Sequence, residues 1–225
     1  HGETTTNAKG EFTIDFKAIP DVSVDKTNLP VFKYEITADV TDVNGETRSS
    51  TTTINVGYHS VIAQISIDDV LDKTIKTHAL DISTKNLNGE AINAKGAVKI
   101  YKLEAPKQVL RKRPWSAPDY KLQTKETFKT QFPYEAYDNE SNINQWKKGA
   151  LVFDKPFDTG SSNKLDLGNI KKWKSGAYII VLESKDKFGQ LIKDEVRTTL
   201  FSPKDKTIAD NQLFSTTTDK NNYKP

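Results

Sequence analysis

The chain predicts an all-β fold of antiparallel β-sandwiches in tandem, on three observations. The first is an internal repeat: Tyr34 to Val56 lies over Tyr178 to Leu200 at an offset of 144 residues, matching Tyr34 with Tyr178, Ile36 with Ile180, Asp42 with Asp186 and Gly45 with Gly189. Self-similarity at a fixed spacing marks a duplicated structural unit. The second is the make-up of that unit: Tyr, Ile and Val crowd its flanks, and these residues suit a pleated, half-buried surface. The third is its punctuation, since Asn44-Gly45, Phe188-Gly189 and Asn88-Gly89 each place a glycine where a tight hairpin turn needs positive φ.

The spacing divides the chain. The later copy closes a segment of about 140 residues, the size of a β-sandwich domain, whereas the earlier copy ends by residue 56. Residues 1–57 therefore read as the C-terminal part of one sandwich, 58–202 as a second sandwich with a long insertion at about 104–149, and 203–225 as a linker or the start of a further module. A sequence without methionine whose first unit is this short is expected to be a piece of a longer polypeptide, cut within a domain.

In chain order, Asn7 to Gly10 is turn material, and Glu11 to Ile19 alternates Phe12, Ile14, Phe16 and Ala18 against Glu11, Thr13, Asp15 and Lys17, which predicts a half-buried strand. A loop from Pro20 to Pro30 leads into the first hairpin, where Phe32, Tyr34, Ile36, Ala38 and Val40 share one face; Gly57 marks the exit. Val61 to Ile67 and Thr77 to Thr84 read as strands, the turn Asn86 to Gly89 follows, and Ala97 to Leu103 alternates again with its inward face left open. From Glu104 to Gly149 the rhythm breaks: four prolines lie among Trp115, Tyr120, Phe128, Phe132, Tyr134, Tyr137 and Trp146. Seven aromatics can anchor such a segment across a sheet face, so an ordered insertion is expected, with short helices in Ser116 to Phe128 and in Ala136 to Lys147. Ala150 to Phe153 and Leu165 to Leu167 are strands, Ile170 to Trp173 leads into the second hairpin, and polar residues dominate from Ser202 onward.

Composition narrows the function. Hydrophobic residues at 35% suffice for a core in a globular protein of this length. Lysine and arginine number 33 against 30 acidic residues, and a net charge of +3 is too slight to draw nucleic acid or an anionic membrane. No apolar run approaches the ~20 residues that span a bilayer, and the start HGETTTNAKG lacks the basic-then-apolar character of a signal peptide. The absence of cysteine removes disulfides, thiolate zinc sites and cysteine nucleophiles together.

His1, His59 and His78 have no regular spacing and no ligand motif around them. Asp39, Asp42 and Asn44 before Gly45 have a superficial calcium-loop look, but the twelfth-position Glu is missing and the second copy puts Lys187 and Phe188 where ligands belong, so both read as turns. There is no G-x-S-x-G elbow and no glycine-rich phosphate loop, and the acids are dispersed. No catalytic residue, cofactor or metal is expected. Trp115, Trp146 and Trp173 invite a carbohydrate-platform reading; Trp173, close before Gly176 and Tyr178, reads as core, and the other two read as pins for the insertion. The basic run Arg111-Lys112-Arg113 reads as a solvated loop, its last bond guarded by Pro114.

Three stretches, FKYEITADVTDVNGETRSSTTTINVGY, NLNGEAINAKGAVKIYKLEAPKQVLRKRPWSAPD and WKSGAYIIVLESKDKFGQ, resemble segments of the large bacterial alpha-2-macroglobulin-like proteins, especially those of Bacteroidetes. The resemblance covers most of the chain and implies serial macroglobulin domains, seven-stranded antiparallel sandwiches of immunoglobulin or fibronectin III type. It implies a non-catalytic scaffold that positions bait and thioester regions of a protease-trapping parent. The thioester does not transfer to this chain, which has no cysteine, and no residues here identify a bait. The partners implied are neighbouring domains of the same polypeptide and, through the parent, proteases, with no nucleic acid and no membrane contact by this segment; the implied location is periplasm or cell surface, anchored through the parent. The alternative expectation is a binding module that recognises a glycan or protein through the aromatic insertion, with Arg111, Arg113, Trp115, Tyr120 and Trp146 as its surface. An exposed Trp115 or Trp146 beside tyrosines favours binding; burial of both favours scaffold.

Overall fold

A computed structural model describes residues 2–111, 115 and 117–212. It is mostly β, with one short α-helix among the described residues, and its sheets form two bodies. The first is a hairpin of β1 (Val31–Thr41) and β2 (Thr47–Gly57), antiparallel and in unbroken register from Val31↔Gly57 to Thr41↔Thr47. The second is a sandwich. Its smaller sheet holds β3 (Ile62–Ser66), β5 (Ala79–Lys85) and β8 (Lys164–Asp166) in the order β3-β5-β8. Its larger sheet holds β4 (Val70–Asp72), β6 (Lys95–Glu104), β7 (Lys147–Asp158), β9 (Gly176–Lys185) and β10 (Leu191–Phe201) in the order β4-β10-β9-β6-β7. Only β4 on β10 is parallel among these ladders. A parallel neighbour needs a crossover, and β4 supplies it by leaving the small sheet after β3 and docking along the end of β10.

The core lies between the two sheets. Leu80, Ile82 and Thr84 from β5 face Val98 and Ile100 from β6, Tyr178, Ile180 and Leu182 from β9, and Ile192 and Leu200 from β10. This settles the inward face of β6, with Val98 and Ile100 fully buried. Strand β9 is buried along almost its whole length, because its outer face, Ala177, Ile179 and Val181, is covered as well. The cover is the insertion between β6 and β7, through Ile143 and Trp146, which pack there together with Tyr101 and Leu103 of the neighbouring β6. A strand with two covered faces has no solvent side, which is why GAYIIVLESK runs apolar where β5 alternates.

Two expectations change. Glu11 to Ile19 forms no strand and no ladder, and Phe12, Ile14 and Phe16 stay 39%, 48% and 44% exposed. Alternation gives a strand only where another backbone edge receives its amides, and the nearby β1 touches this segment through side chains: Phe16 and Tyr34 stack at 5.8 Å, and the Tyr34 hydroxyl donates to Ile19 O at 2.8 Å. The helices also differ in extent. The α-helix α1 is Lys125–Gln131, set by Thr124, whose hydroxyl caps Thr127 N–H, and Ala136 to Lys147 holds only a 3₁₀ turn at Ile143–Gln145. Ser116 lies outside the described residues.

Candidate interaction surface of the insertion

The insertion carries a small aromatic cluster of its own, half-buried at Phe128 and Tyr137 and open to solvent at Phe132. Phe128 on α1 meets Phe132 at 5.2 Å and Tyr137 at 5.4 Å, and the Tyr137 hydroxyl donates to Gln123 O at 2.7 Å. Lys121 and Lys125 both lean over the Tyr137 ring, at 4.2 Å and 5.8 Å from its centroid. Their ammonium groups meet Asp138, and Lys125 also meets Glu140 at 3.0 Å. The Lys121 ammonium, ahead of Lys125, holds the Asp138 carboxyl below its usual range. Burial pushes Glu140 up, but Lys125 and backbone N–H donors outweigh it and leave the pKa lowered.

The residues singled out in the sequence divide sharply. Trp146 is a pin: its ring packs on the outer face of the large sheet and its indole N–H donates to Glu140 O at 2.8 Å. Trp115 is not a pin. It is 72% exposed, and Tyr120 is 88% exposed. Arg111 is exposed, its N–H donating to Tyr134 O at 2.7 Å and its guanidinium 3.5 Å from Glu135. Leu122, Phe132 and Tyr134 add further exposed apolar surface. Arg113 lies outside the described residues. Trp173 packs beside the sandwich core, 6.4 Å from Phe153 and 5.7 Å from Tyr178.

At the root of the insertion lies a carboxylate that sequence reading passed over. The chain after β10 folds back, and Asp210 reaches Lys102 at 2.7 Å and the Ala177 N–H at 2.5 Å. Gly176, at φ 118°, is the residue on which the carboxylate rests, leaving no room for a Cβ. Asn211 ties the same strap to the insertion by donating to Pro106 O at 2.8 Å. Burial, reinforced by the Asp210 charge, pushes the nearby Tyr178 phenol up to about 12. Asp210 stands in a polar stretch without periodicity, so no sequence signal points to it.

The carboxylates of the two repeated turns are taken by backbone. Asp42 Oδ1 accepts from Asn44 N–H at 2.8 Å and Glu46 N–H at 2.9 Å; Asp186 Oδ1 accepts from Phe188 and Gln190 N–H, both at 2.9 Å. Asn7 and Asn86 build the same turn, each closed by a glycine four positions into it. Four copies of Asx-x-x-Gly-Glx are thus one local solution used repeatedly. His78 Nε2 sits 2.9 Å from Asp72 O. Among the described residues no group of three His, Cys, Asp or Glu is placed to hold a metal ion, and no helix is long and apolar enough to cross a membrane. No protein-family model matches the chain, and no curated protein matches it either.

Proposed function

We propose that the chain is a non-catalytic scaffold segment of a larger, serially built β-sandwich protein of the alpha-2-macroglobulin-like, protease-trapping kind, made of immunoglobulin- or fibronectin III-like macroglobulin-type domains and working at the cell surface or in the periplasm. The observation that supports this is the seam between hairpin and sandwich. Strand β2 ends at Gly57 and β3 begins at Ile62, with only residues 58–61 between them. Asn88 binds both backbone groups of Asn55, accepting its N–H at 2.7 Å and donating to its carbonyl at 3.3 Å, while the Asn55 side chain donates to Leu87 O at 3.0 Å. Phe32 meets Tyr58 edge-on at 6.2 Å, and Lys26 caps the same ring at 5.2 Å. A Cβ at Gly57 would stand 3.0 Å from Leu87 and 3.2 Å from Pro30 O, so the chain turns the corner in close contact. A seam fixed by directional bonds transmits orientation between neighbours, which is what a scaffold has to do.

The lack of native cysteine makes the test clean, because spin labels go only where cysteines are introduced. Val43→Cys at the hairpin tip and Phe188→Cys on the sandwich, both exposed, should give a narrow inter-label distance distribution that broadens when Asn88→Ala is added. A broad distribution in the parent chain would sink the scaffold reading. A second reading, recognition of a protein or glycan through the insertion, is favoured by the exposure of Trp115, Tyr120 and Tyr134.

A further inference from the structure

We propose that the outer edge of β2 is a strand-docking site whose occupant is a second copy of β2, paired antiparallel about Ser50. The sandwich protects its sheet edges. Strand β7, the long edge of the large sheet, carries Lys147, Lys148, Lys155 and Pro156, and its pairing with β6 is broken by register shifts around Tyr101. Strands β4 and β8 are three residues each. The free side of β3 is capped by Asp194, which accepts the Ile65 N–H at 2.8 Å. These are the devices by which edges are kept from pairing with other chains. Strand β2 has none of them: TRSSTTTINVG contains no proline and no lysine, its one charge is Arg48, its register with β1 has no bulge, and its residues from Thr47 to Thr53 are all exposed.

Which groups face outward follows from Asn55, whose N–H and C=O are both met by Asn88 on the sandwich side. Backbone direction alternates along a strand, so Thr53, Thr51, Ser49 and Thr47 present their N–H and C=O to the same side. Among the described residues no hydrogen bond reaches them there. The edge is therefore engaged at Asn55 by an amide that imitates a strand, and open beyond it. An antiparallel copy centred on Ser50 matches the open positions with one another, Thr47 with Thr53 and Ser49 with Thr51. It also sets Arg48 opposite Thr52, so no like charges face across the pair. Threonine–threonine and threonine–serine cross-strand pairs are favourable. The hairpin has reason to accept such a partner, because no described residue before Val61 is buried, and a two-stranded ribbon of this kind is marginal in water.

Sedimentation of the whole chain across a concentration series up to ~1 mM reads the proposal. The unmodified chain should form a dimer. Thr51→Pro removes an outward amide without touching the β1 ladder and should weaken association at least tenfold. Ser50→Lys and Ser50→Glu should each do the same by placing like charges together at the two-fold, and mixing the two variants should restore a dimer that salt weakens. A chain that stays monomeric throughout, or a dimer that Thr51→Pro and Ser50→Lys leave intact, overturns the proposal.

Discussion

The hairpins β1–β2 and β9–β10 begin from the same local instructions and end in different physical states. Both turn through Asx-x-x-Gly-Glx with the same hydrogen bonds, both put glycine near φ 80°, and both carry Tyr and Ile at matching places. Yet Tyr178 and Ile180 are 1% and 0% exposed, while Tyr34 and Ile36 are only half-buried. The difference lies in what covers them. The later hairpin has a three-stranded sheet on one face and the insertion on the other; the earlier one has an irregular N-terminal segment beside Tyr34 and the seam at one end. Local code specifies a hairpin, and layers decide how much it stabilises.

The largest effect that can test this contrast is a truncation at the matched isoleucines. Ile180→Ala opens a cavity in a fully enclosed site and should destabilise the sandwich by about 4 kcal/mol, read as a lower denaturation midpoint with the slope unchanged. Ile36→Ala removes a side chain that already meets water and should cost about 1 kcal/mol or less, visible as faster amide exchange in β1 rather than in global unfolding. Equal costs at the two sites would mean that the first hairpin has a covering layer comparable with that of the second.

The next effect is smaller and comes from the turn carboxylates. Asp186 accepts, besides its two turn amides, the Ser60 N–H at 2.8 Å and the Ser60 hydroxyl at 3.2 Å, so it ties the turn to the start of the sandwich. Asp186→Ala should cost about 2 kcal/mol, because a buried carboxylate leaves four part-buried hydrogen bonds without their charged acceptor, whereas Asp42→Ala, with exposed donors only, should cost about 1 kcal/mol. The pair also separates in acid. Burial raises Asp186, but the donations from Ser60, Gln190 and Phe188 outweigh it and leave its pKa below the ordinary value. A carboxyl lowered on folding contributes fully above its unfolded pKa of ~3.9 and loses that contribution as pH falls through the folded value. The difference in stability between the parent chain and Asp186→Asn should therefore shrink as pH drops below about 4.

Much of this contrast was legible in the sequence and its outcome was not. The repeat, the glycine turns and the alternation at Val98 and Ile100 report on single strands and their neighbours in the chain, which is the range over which periodicity carries information. Glu11 to Ile19 has the same alternation, but pairing depends on a backbone edge supplied from elsewhere. The role of Trp146 against that of Trp115 depended on which indole lay over Ala177, Ile179 and Val181, a relation between segments far apart in sequence. The three residues of β4 are too few to show a period, and Asp210 acts through a fold-back that leaves no pattern.

The smallest expected effect is also the sharpest control. Gly45 and Gly189 sit at φ 82° and 80°, and at each a Cβ would find open space. Any cost of Gly→Ala there comes from the left-handed backbone alone, about 1 kcal/mol, and should be the same in both turns. Amide exchange at Asp42 and Asp186, whose N–H groups close the turns onto Glu46 and Gln190 at 2.9 Å and 3.1 Å, measures each turn where it stands. Matched losses would place the whole difference between the hairpins in their covering layers. A clearly larger loss at Gly189 would mean that the Ser60 contact to Asp186 strains the second turn, so that packing acts on the turn itself as well as on the strands it joins.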